Sequence, residues 1–162
     1  MIMLASRGIL YTPFHGYVLR LWGMQSVDSK NMHRVMSKGT NIGLAPGGFE
    51  EATISTDKAL RIFVKERKGF IKMALKYGYK VSPVLTLGET QIYNTWDHLI
   101  KIRLFLNKFK IPSVVHWTKY GIVPDPHHDL YTVVGRPLQL PTIPNPTKEE
   151  IDHWHQAYMQ DL

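Results

Sequence analysis

Apolar residues recur in this chain at two spacings, and the switch between them marks its clearest elements. Between Arg67 and Glu89, Phe70, Ala74 and Tyr77 fall at i, i+4 and i+7, and Ile71 and Leu75 widen the same face, which predicts a helix. Gly78 follows the last periodic residue and supplies the left-handed backbone that ends it. From Lys80 to Leu87 the pattern contracts to an apolar, partly β-branched run, which predicts a buried strand, with Gly88 and Glu89 just past its carboxyl end. Lys68, Lys72 and Lys76 stand four residues apart and form one basic stripe beside the buried face.

The same reading extends along the chain. Ile9 to Met24 is aromatic and aliphatic, with Pro13 where a helix can begin; a core helix is the default, a helix lying flat in a bilayer's headgroup layer the alternative. Val27 to Lys38 reads as a helix with Asp28 as N-cap, Met32, Val35 and Met36 buried, and Gly39 as stop. Asn41 to Ala45 is a brief strand. Ala52 to Glu66 carries no period and reads as a loop or irregular helix containing Asp57, Lys58, Arg61, Lys65 and Glu66. Thr90 to Lys110 predicts an amphipathic helix burying Trp96, Leu99, Ile102, Leu106 and Phe109, with Lys101 and Lys108 turned away. Ser113 to Trp117, preceded by Pro112, and Leu130 to Val134 are strand candidates around a loop rich in Pro and His. Pro137 to Pro146 holds four prolines and reads as a rigid arm. In the last helix Thr147 and Glu150 have capping-box spacing, Pro146 and Ile151 form the staple, and Ile151, Trp154, His155, Tyr158 and Leu162 make the buried stripe. Alternating strand and helix signals predict an α/β fold: a central, mostly parallel or mixed sheet flanked by helices.

Composition narrows the functional classes. At 162 residues and 44% hydrophobic, the chain fits one folded domain, residues 1–162. It has no cysteine, which excludes disulfides, thiolate catalysis and thiolate zinc sites. No apolar run reaches the roughly 18 residues a spanning helix needs. The net charge of +7 suits an anionic membrane surface, a phosphate-bearing ligand or a nucleic acid, but the basic residues are dispersed and no nucleic-acid motif accompanies them, so nucleic-acid binding is the weakest of the three.

Gly47 and Gly48 follow the Asn41–Ala45 strand and precede Glu50 and Glu51. Paired glycines let backbone approach a ligand closely and a nearby carboxylate accepts from a hydroxyl, although a turn followed by solvated carboxylates has the same pattern. His127, His128 and Asp129 invite a metal reading, but neighbouring histidines on extended chain point apart and no second ligand cluster fits, so a surface loop is expected and no metal.

Four ordered stretches carry a family resemblance. Arg67, Gly69, Phe70, Ala74, Gly78, Pro83, Gly88 and Glu89 match the pattern R-x-G-F-x-x-x-A-x-x-x-G-x-x-x-V-P-x-x-x-F-G-E of the type-two diacylglycerol acyltransferases, the family of diacylglycerol, monoacylglycerol and wax acyltransferases. Ser82 and Leu87 depart from it. The stretches Pro46–Glu51, Val133–Pro141 and Pro146–Tyr158 are similar to three further family motifs in the same order. The resemblance implies the glycerolipid acyltransferase fold and an O-acyltransferase that moves an acyl group from acyl-CoA, a co-substrate and not a resident cofactor, to a diacylglycerol or monoacylglycerol hydroxyl. It implies substrate-binding roles for Gly47, Gly48, Glu51, Arg67, Gly69, Phe70, Gly88 and Glu89, with Glu51 rather than Glu50 as the counterpart of the family's glutamate. Arg61, Lys65, Arg67 and Lys68 are then the expected place for CoA phosphates. An endoplasmic reticulum membrane or lipid droplet location, contact with a membrane surface and a possible oligomer follow in the same way.

The family's His-Pro-His-Gly motif occurs nowhere in the sequence. The expectation is a chain truncated at its amino terminus, with no catalytic residue of its own and incomplete or impaired catalysis. His15 in TPFHG is read as a surface or core histidine, and His155, on the buried stripe, as a packing or orienting residue. A catalytically silent lipid-binding or assembly subunit is the alternative function.

Overall fold

Ile2, Met3 and Leu4 begin the chain as an apolar run that forms strand β1 (Ile2–Ala5). The structure, a computed structural model, describes residues 1–56, 59–96, 98–109, 113–121 and 123–162. Asp57, Lys58, Lys110 and Pro112, named above, lie outside the described residues, as does the side chain of Lys108. Helix α1 (Arg7–Leu10) follows, capped by the Ser6 hydroxyl accepting from the Ile9 amide at 3.4 Å, and then α2 (His15–Leu21). The expected single core helix over Ile9–Met24 is therefore two short ones, broken where Phe14 takes φ +59°. Leu10, Gly16 and Leu19 are buried, but Tyr11, Phe14, Tyr17, Leu21 and Trp22 are exposed. The cause is the contact itself: Gly16 lies so close to the Leu10 carbonyl that a Cβ would collide with it, and Arg20 donates to that same carbonyl. The two helices meet through backbone, leaving the aromatic rings outside.

Strand β2 (Gln25–Ser26) and helix α3 (Ser29–Met36) come next. Met32, Val35 and Met36 are buried as their spacing predicts, while Asp28 occupies the cap position but gives its carboxylate to Arg7 and not to the helix amides. Strand β3 (Ile42–Leu44) leads to helix α4 (Gly48–Ile54), so the glycines and carboxylates expected on a turn open a helix. The sheet order is β2-β1-β3, parallel throughout, with Leu4 opposite Gln25 on one side and Ile2 opposite Ile42 on the other.

Helix α5 (Gly69–Tyr77) ends at Gly78, which takes φ +64° beside the Thr142 hydroxyl. Ile71 and Leu75 are completely buried. The chain continues through β4 (Lys80–Val81), β5 (Val84–Leu87), β6 (Asn94–Thr95), α6 (Ile100–Lys108), β7 (His116–Trp117), β8 (Tyr131–Val134) and β9 (Leu138–Gln139) to α7 (Lys148–Gln160). The single buried strand expected over Lys80–Leu87 is two strands. Ser82 and Pro83 separate them, β4 pairs antiparallel with β9 and β5 pairs antiparallel with β8, and Val84 and Leu87 are exposed. Proline offers no amide to a ladder, so the break falls where pairing cannot continue. Helix α7 carries the full capping box: the Glu150 carboxylate accepts from the Thr147 amide at 2.8 Å and the Thr147 hydroxyl accepts from the Glu150 amide at 3.2 Å.

Helix α6 inverts the expectation. It is nine residues, not the span Thr90–Lys110, and it buries Arg103 and Asn107 while Leu99, Ile102, Phe105 and Phe109 face out. Arg103 donates to the carbonyls of Trp96 and, at 2.7 Å, Ser113; the Asn107 amide donates to Thr53 Oγ1 at 2.7 Å and to the Phe49 carbonyl at 3.2 Å. The polar face of α6 thus supplies donors to backbone carbonyls in the flanking loops and at the start of α4.

Two clusters form the core. Val64, Ile71, Ala74, Leu75, Leu140 and Tyr158 make one, and Leu4, Met32, Met36 and Met73 the other. In the loop before β8, Asp125 accepts from Lys119 at 3.3 Å and from the His127 ring at 2.7 Å, and these contacts, that with His127 first, hold its carboxyl down at about 2.

Asn107→Ala is expected to lower stability by about 1–3 kcal/mol, through loss of bonds to buried partners, and Phe105→Ala by less than about 0.5 kcal/mol. Urea unfolding that ranks the two the other way round would restore the apolar face as the buried one. The Asp125 carboxyl titrates lower folded than unfolded, so its contribution is present above the ordinary 3.8 and disappears as pH falls toward about 2. A carboxyl-detected NMR titration with its Asp125 midpoint at or above 3.8 would contradict this arrangement.

Candidate functional site

In parallel sheets ligands gather at the carboxyl ends of strands, where neighbouring strands send their connections apart. Here β1 hands the chain toward β2, whereas β3, on the opposite edge, hands it to α4. The carboxyl end of β3 is followed by Ala45, Pro46, Gly47 and Gly48, which places the paired glycines at that position. Gly48 takes φ +60°, a backbone region closed to most side chains. Gly47 is required for a different reason: the Glu51 carboxylate folds back over it, and a Cβ would collide with that carboxylate.

The two glutamates have different partners. Glu51 Oε2 accepts from the Phe63 amide at 2.9 Å, which ties α4 to the extended segment entering α5. Glu50 forms an ion pair with Arg67, whose guanidinium lies 5.4 Å from the centre of the Phe63 ring. Arg67 Nε is buried without an acceptor among the described residues. A buried donor left in this state costs about 1–3 kcal/mol unless a water or ligand oxygen meets it. The pair is about a third exposed and adds little stability, so its effect is to fix where the guanidinium sits.

Gly69 begins α5 with no atom within 4 Å of the position a Cβ would take. Phe70, one residue on, packs edge-to-face on Tyr158 at 5.1 Å and on His155 at 6.2 Å. His155 Nε2 donates to the Val64 carbonyl at 3.1 Å, so this histidine holds the segment before α5 in place. Burial, with the Glu51 charge nearby, raises the Tyr158 hydroxyl above its ordinary pKa. Gly47, Gly48, Glu51, Arg67, Gly69 and Phe70 are therefore linked through Glu50, Phe63 and α7.

Gly88 and Glu89 are placed elsewhere. They follow β5, which belongs to the antiparallel β5–β8 ribbon and not to the parallel sheet; Gly88 takes φ +88° against the Asp129 carbonyl, and Glu89 is exposed at the start of a 3₁₀ turn. Among the described residues no hydrogen bond or ion pair joins either to Glu51 or Arg67. His15 heads α2 with an exposed side chain. His127 is paired with Asp125, and among the described residues no group of three metal-ligating side chains converges.

The basic cluster expected to meet CoA phosphates is largely engaged. Arg61 donates to the Ile54 carbonyl at 2.9 Å, Arg67 pairs with Glu50, and Lys68 pairs with Asp152 at 2.7 Å. The bond from Lys68 lowers the Asp152 carboxyl below its ordinary range. Sequence reasoning passed over Glu50 and the Phe63 amide. Glu50 and Arg67 are far apart in the chain, and a backbone amide leaves no trace in residue type, so no local signal marks either.

Comparison with known proteins bears on this geometry. The chain is 34% identical over 164 residues to diacylglycerol O-acyltransferase 2 of Dictyostelium discoideum, an alignment covering 93% of this chain and 49% of that protein. It is 33% identical to 2-acylglycerol O-acyltransferase 1 of Bos taurus, covering 86% of this chain and 46% of the relative, and 32% identical to acyl-CoA wax alcohol acyltransferase 1 of Mus musculus, covering 86% and 47%. The chain thus spans about half the length of these relatives. No solved structure matches it. The family model for diacylglycerol acyltransferase matches residues 1–162. A match of that extent takes in the glycine turn, the Arg67 segment and α7 together, and the chain belongs to the diacylglycerol acyltransferase family.

Proposed function

We propose that this chain forms the acceptor- and CoA-handling part of an acyl-CoA-dependent O-acyltransferase acting on a diacylglycerol or monoacylglycerol hydroxyl. What supports the reading is one arrangement: a glycine turn at the carboxyl end of β3 that leads into the helix carrying Glu50 and Glu51, with Arg67 paired to Glu50 and its Nε buried without an acceptor among the described residues. In the reaction the acceptor oxygen attacks the thioester carbonyl, the new C–O bond forms as the C–S bond breaks, and the hydroxyl proton passes to a base while CoA leaves as the thiol. Glu51 has one carboxylate oxygen committed to Phe63, and the other accepts from the acceptor hydroxyl and orients it. Arg67 donates to an oxygen of the acceptor or the acyl group.

The base is not assigned to this chain. General-base catalysis contributes about a hundred- to ten-thousand-fold, so the chain by itself binds its substrates and transfers acyl groups slowly. A lipid acceptor reaches the site from a bilayer, and the exposed Ile102, Phe105 and Phe109 of α6 are assigned to that contact. No described helix is long and apolar enough to cross the membrane. Triacylglycerol formation at the endoplasmic reticulum or lipid droplet belongs to the same reading.

A photoreactive diacylglycerol in neutral vesicles is expected to label the α4 peptide, and excess unlabelled diacylglycerol to compete. Glu51→Gln keeps an oxygen for the Phe63 amide but turns the other acceptor into a donor, so labelling falls about ten-fold or more while the unfolding midpoint stays near that of the parent. Wild-type chain that takes no label removes the reading; equal labelling of the variant removes Glu51 from the site. Replacing Ile102 and Phe105 together by Asp is expected to abolish flotation with those vesicles, and unchanged flotation would release α6 from the bilayer role.

A further inference from the structure

Between α3, α5 and the proline arm lies a cleft of about 500 Å³ whose polar lining is Ser29, His33, Lys72, Lys76 and Asn145, with Gly69 at one end. We infer that this cleft is a phosphate-binding site and, resting on the function proposed above, that the phosphates are those of acyl-CoA.

The argument begins with which cations have partners. Along the segment from Arg61 to Lys76, Arg61, Arg67 and Lys68 are engaged by a carbonyl, Glu50 and Asp152, and Lys65 is exposed but does not line the cleft. Lys72 and Lys76 have no anionic partner among the described residues, and no Asp or Glu lines the cleft. They stand four residues apart on α5, neighbours on one helix face at about 5–6 Å between Cβ atoms, where like charges oppose each other. A phosphate between them removes that repulsion and meets two ammonium donors at once.

The other groups complete the recognition of an oxyanion. The Ser29 hydroxyl and the Asn145 amide donate from the opposite walls. His33 Nδ1 is held by the Tyr77 hydroxyl at 2.8 Å, which sets the ring and leaves Nε2 for a ligand. Gly69 provides continuity with the site described above. It follows Arg67 by two residues and has no atom within 4 Å of its absent Cβ, so the end of the cleft nearest Arg67 in the chain is open at this position.

A second cleft, about 580 Å³ and lined by Arg7, Arg20, Asp28, Lys30 and Arg34, is larger and more basic. Three of its four cations are engaged, Arg7 by Asp28, Arg20 by the Leu10 carbonyl, and Arg34 by Gln25 and Asn31, and the Asp28 carboxylate is part of its wall. What separates the two clefts is therefore neither size nor the number of cations but the carboxylate: the cleft beside α5 has none.

The test compares the wild-type chain, Lys72→Gln with Lys76→Gln, and Arg34→Gln as a basic residue lining the other cleft. Coenzyme A in solution is titrated by calorimetry at two salt concentrations, and vesicles of phosphatidylcholine with or without phosphatidic acid are tested by flotation. The double variant is expected to weaken coenzyme A about ten-fold or more and to flatten the salt dependence, with Arg34→Gln unchanged. Lys72 is exposed and Lys76 half-buried, and thermal unfolding of the double variant verifies that its fold is intact. Coenzyme A affinity that is unchanged in the double variant, with loss of flotation on phosphatidic acid, keeps the phosphate site but moves its source to a lipid headgroup. No change in either arm overturns the site. The photoreactive diacylglycerol reads the function proposal separately: loss of coenzyme A binding with labelling intact concerns only this cleft, and absent labelling with coenzyme A binding intact concerns only the acceptor site.

Discussion

Everything described for this chain depends on the burial of α5. Its residues enter both core clusters: Ile71, Ala74 and Leu75 pack with Val64, Leu140 and Tyr158, while Met73 packs with Leu4, Met32 and Met36. One helix thereby joins the parallel sheet and α3 to α7 and the proline arm. Removing either fully buried aliphatic side chain opens a cavity worth about 2–5 kcal/mol, a large part of the stability of a domain this size. Tyr79, just after the helix, adds a polar tie: its hydroxyl is shared between the Met36 and Thr40 carbonyls at 3.0 Å, and burial raises its pKa.

Position of the candidate site follows from that anchoring. Arg67 lies two residues before α5, and the segment containing it is held from three sides: by His155 on the Val64 carbonyl, by Glu51 on the Phe63 amide and by Lys68 on Asp152. None of these contacts is strong alone. Together they set a guanidinium within reach of a glycine turn that belongs to another element. The residues that the family resemblance marks at this turn therefore have structural partners of their own, and Glu51 in particular has a tie independent of any ligand.

Legibility in the sequence varied with how each element satisfies its backbone. Helices α3, α5 and α7 satisfy their own amides and carbonyls and need only an apolar stripe and an end signal, so Met32 with Met36, Ile71 with Leu75 and Thr147 with Glu150 were readable. Strands β2 and β6, of two residues each, are too short for an alternation to emerge, and β1 is apolar throughout and so shows none. Helix α6 was misread because its buried face is chosen by hydrogen bonds: Arg103 and Asn107 answer carbonyls contributed by other segments, and no periodicity records that demand. In the aromatic stretch before β2 only the core-helix reading fails, and for a related reason: Gly16 lets two helices meet through backbone, and the rings stay outside. At the site, glycine spacing and Arg67 were visible, but the exchange of partners that gives Glu50 to Arg67 and Glu51 to Phe63 depends on the tertiary path.

The same burial also governs the charge pattern. With Ile71 and Leu75 both at 0% exposure, α5 cannot rotate about its axis, so the face carrying Lys68, Lys72 and Lys76 is fixed by the core. Asp152 on α7 neutralises the first of the three, because α7 packs against the amino-terminal half of the helix through Phe70 and Tyr158. The remaining two line the cleft between α3 and the proline arm, whose wall holds no carboxylate. Hydrophobic packing thus fixes where the two Cα–Cβ bonds of Lys72 and Lys76 point, so an anion meeting them has only the side-chain rotamers left to order and not the backbone.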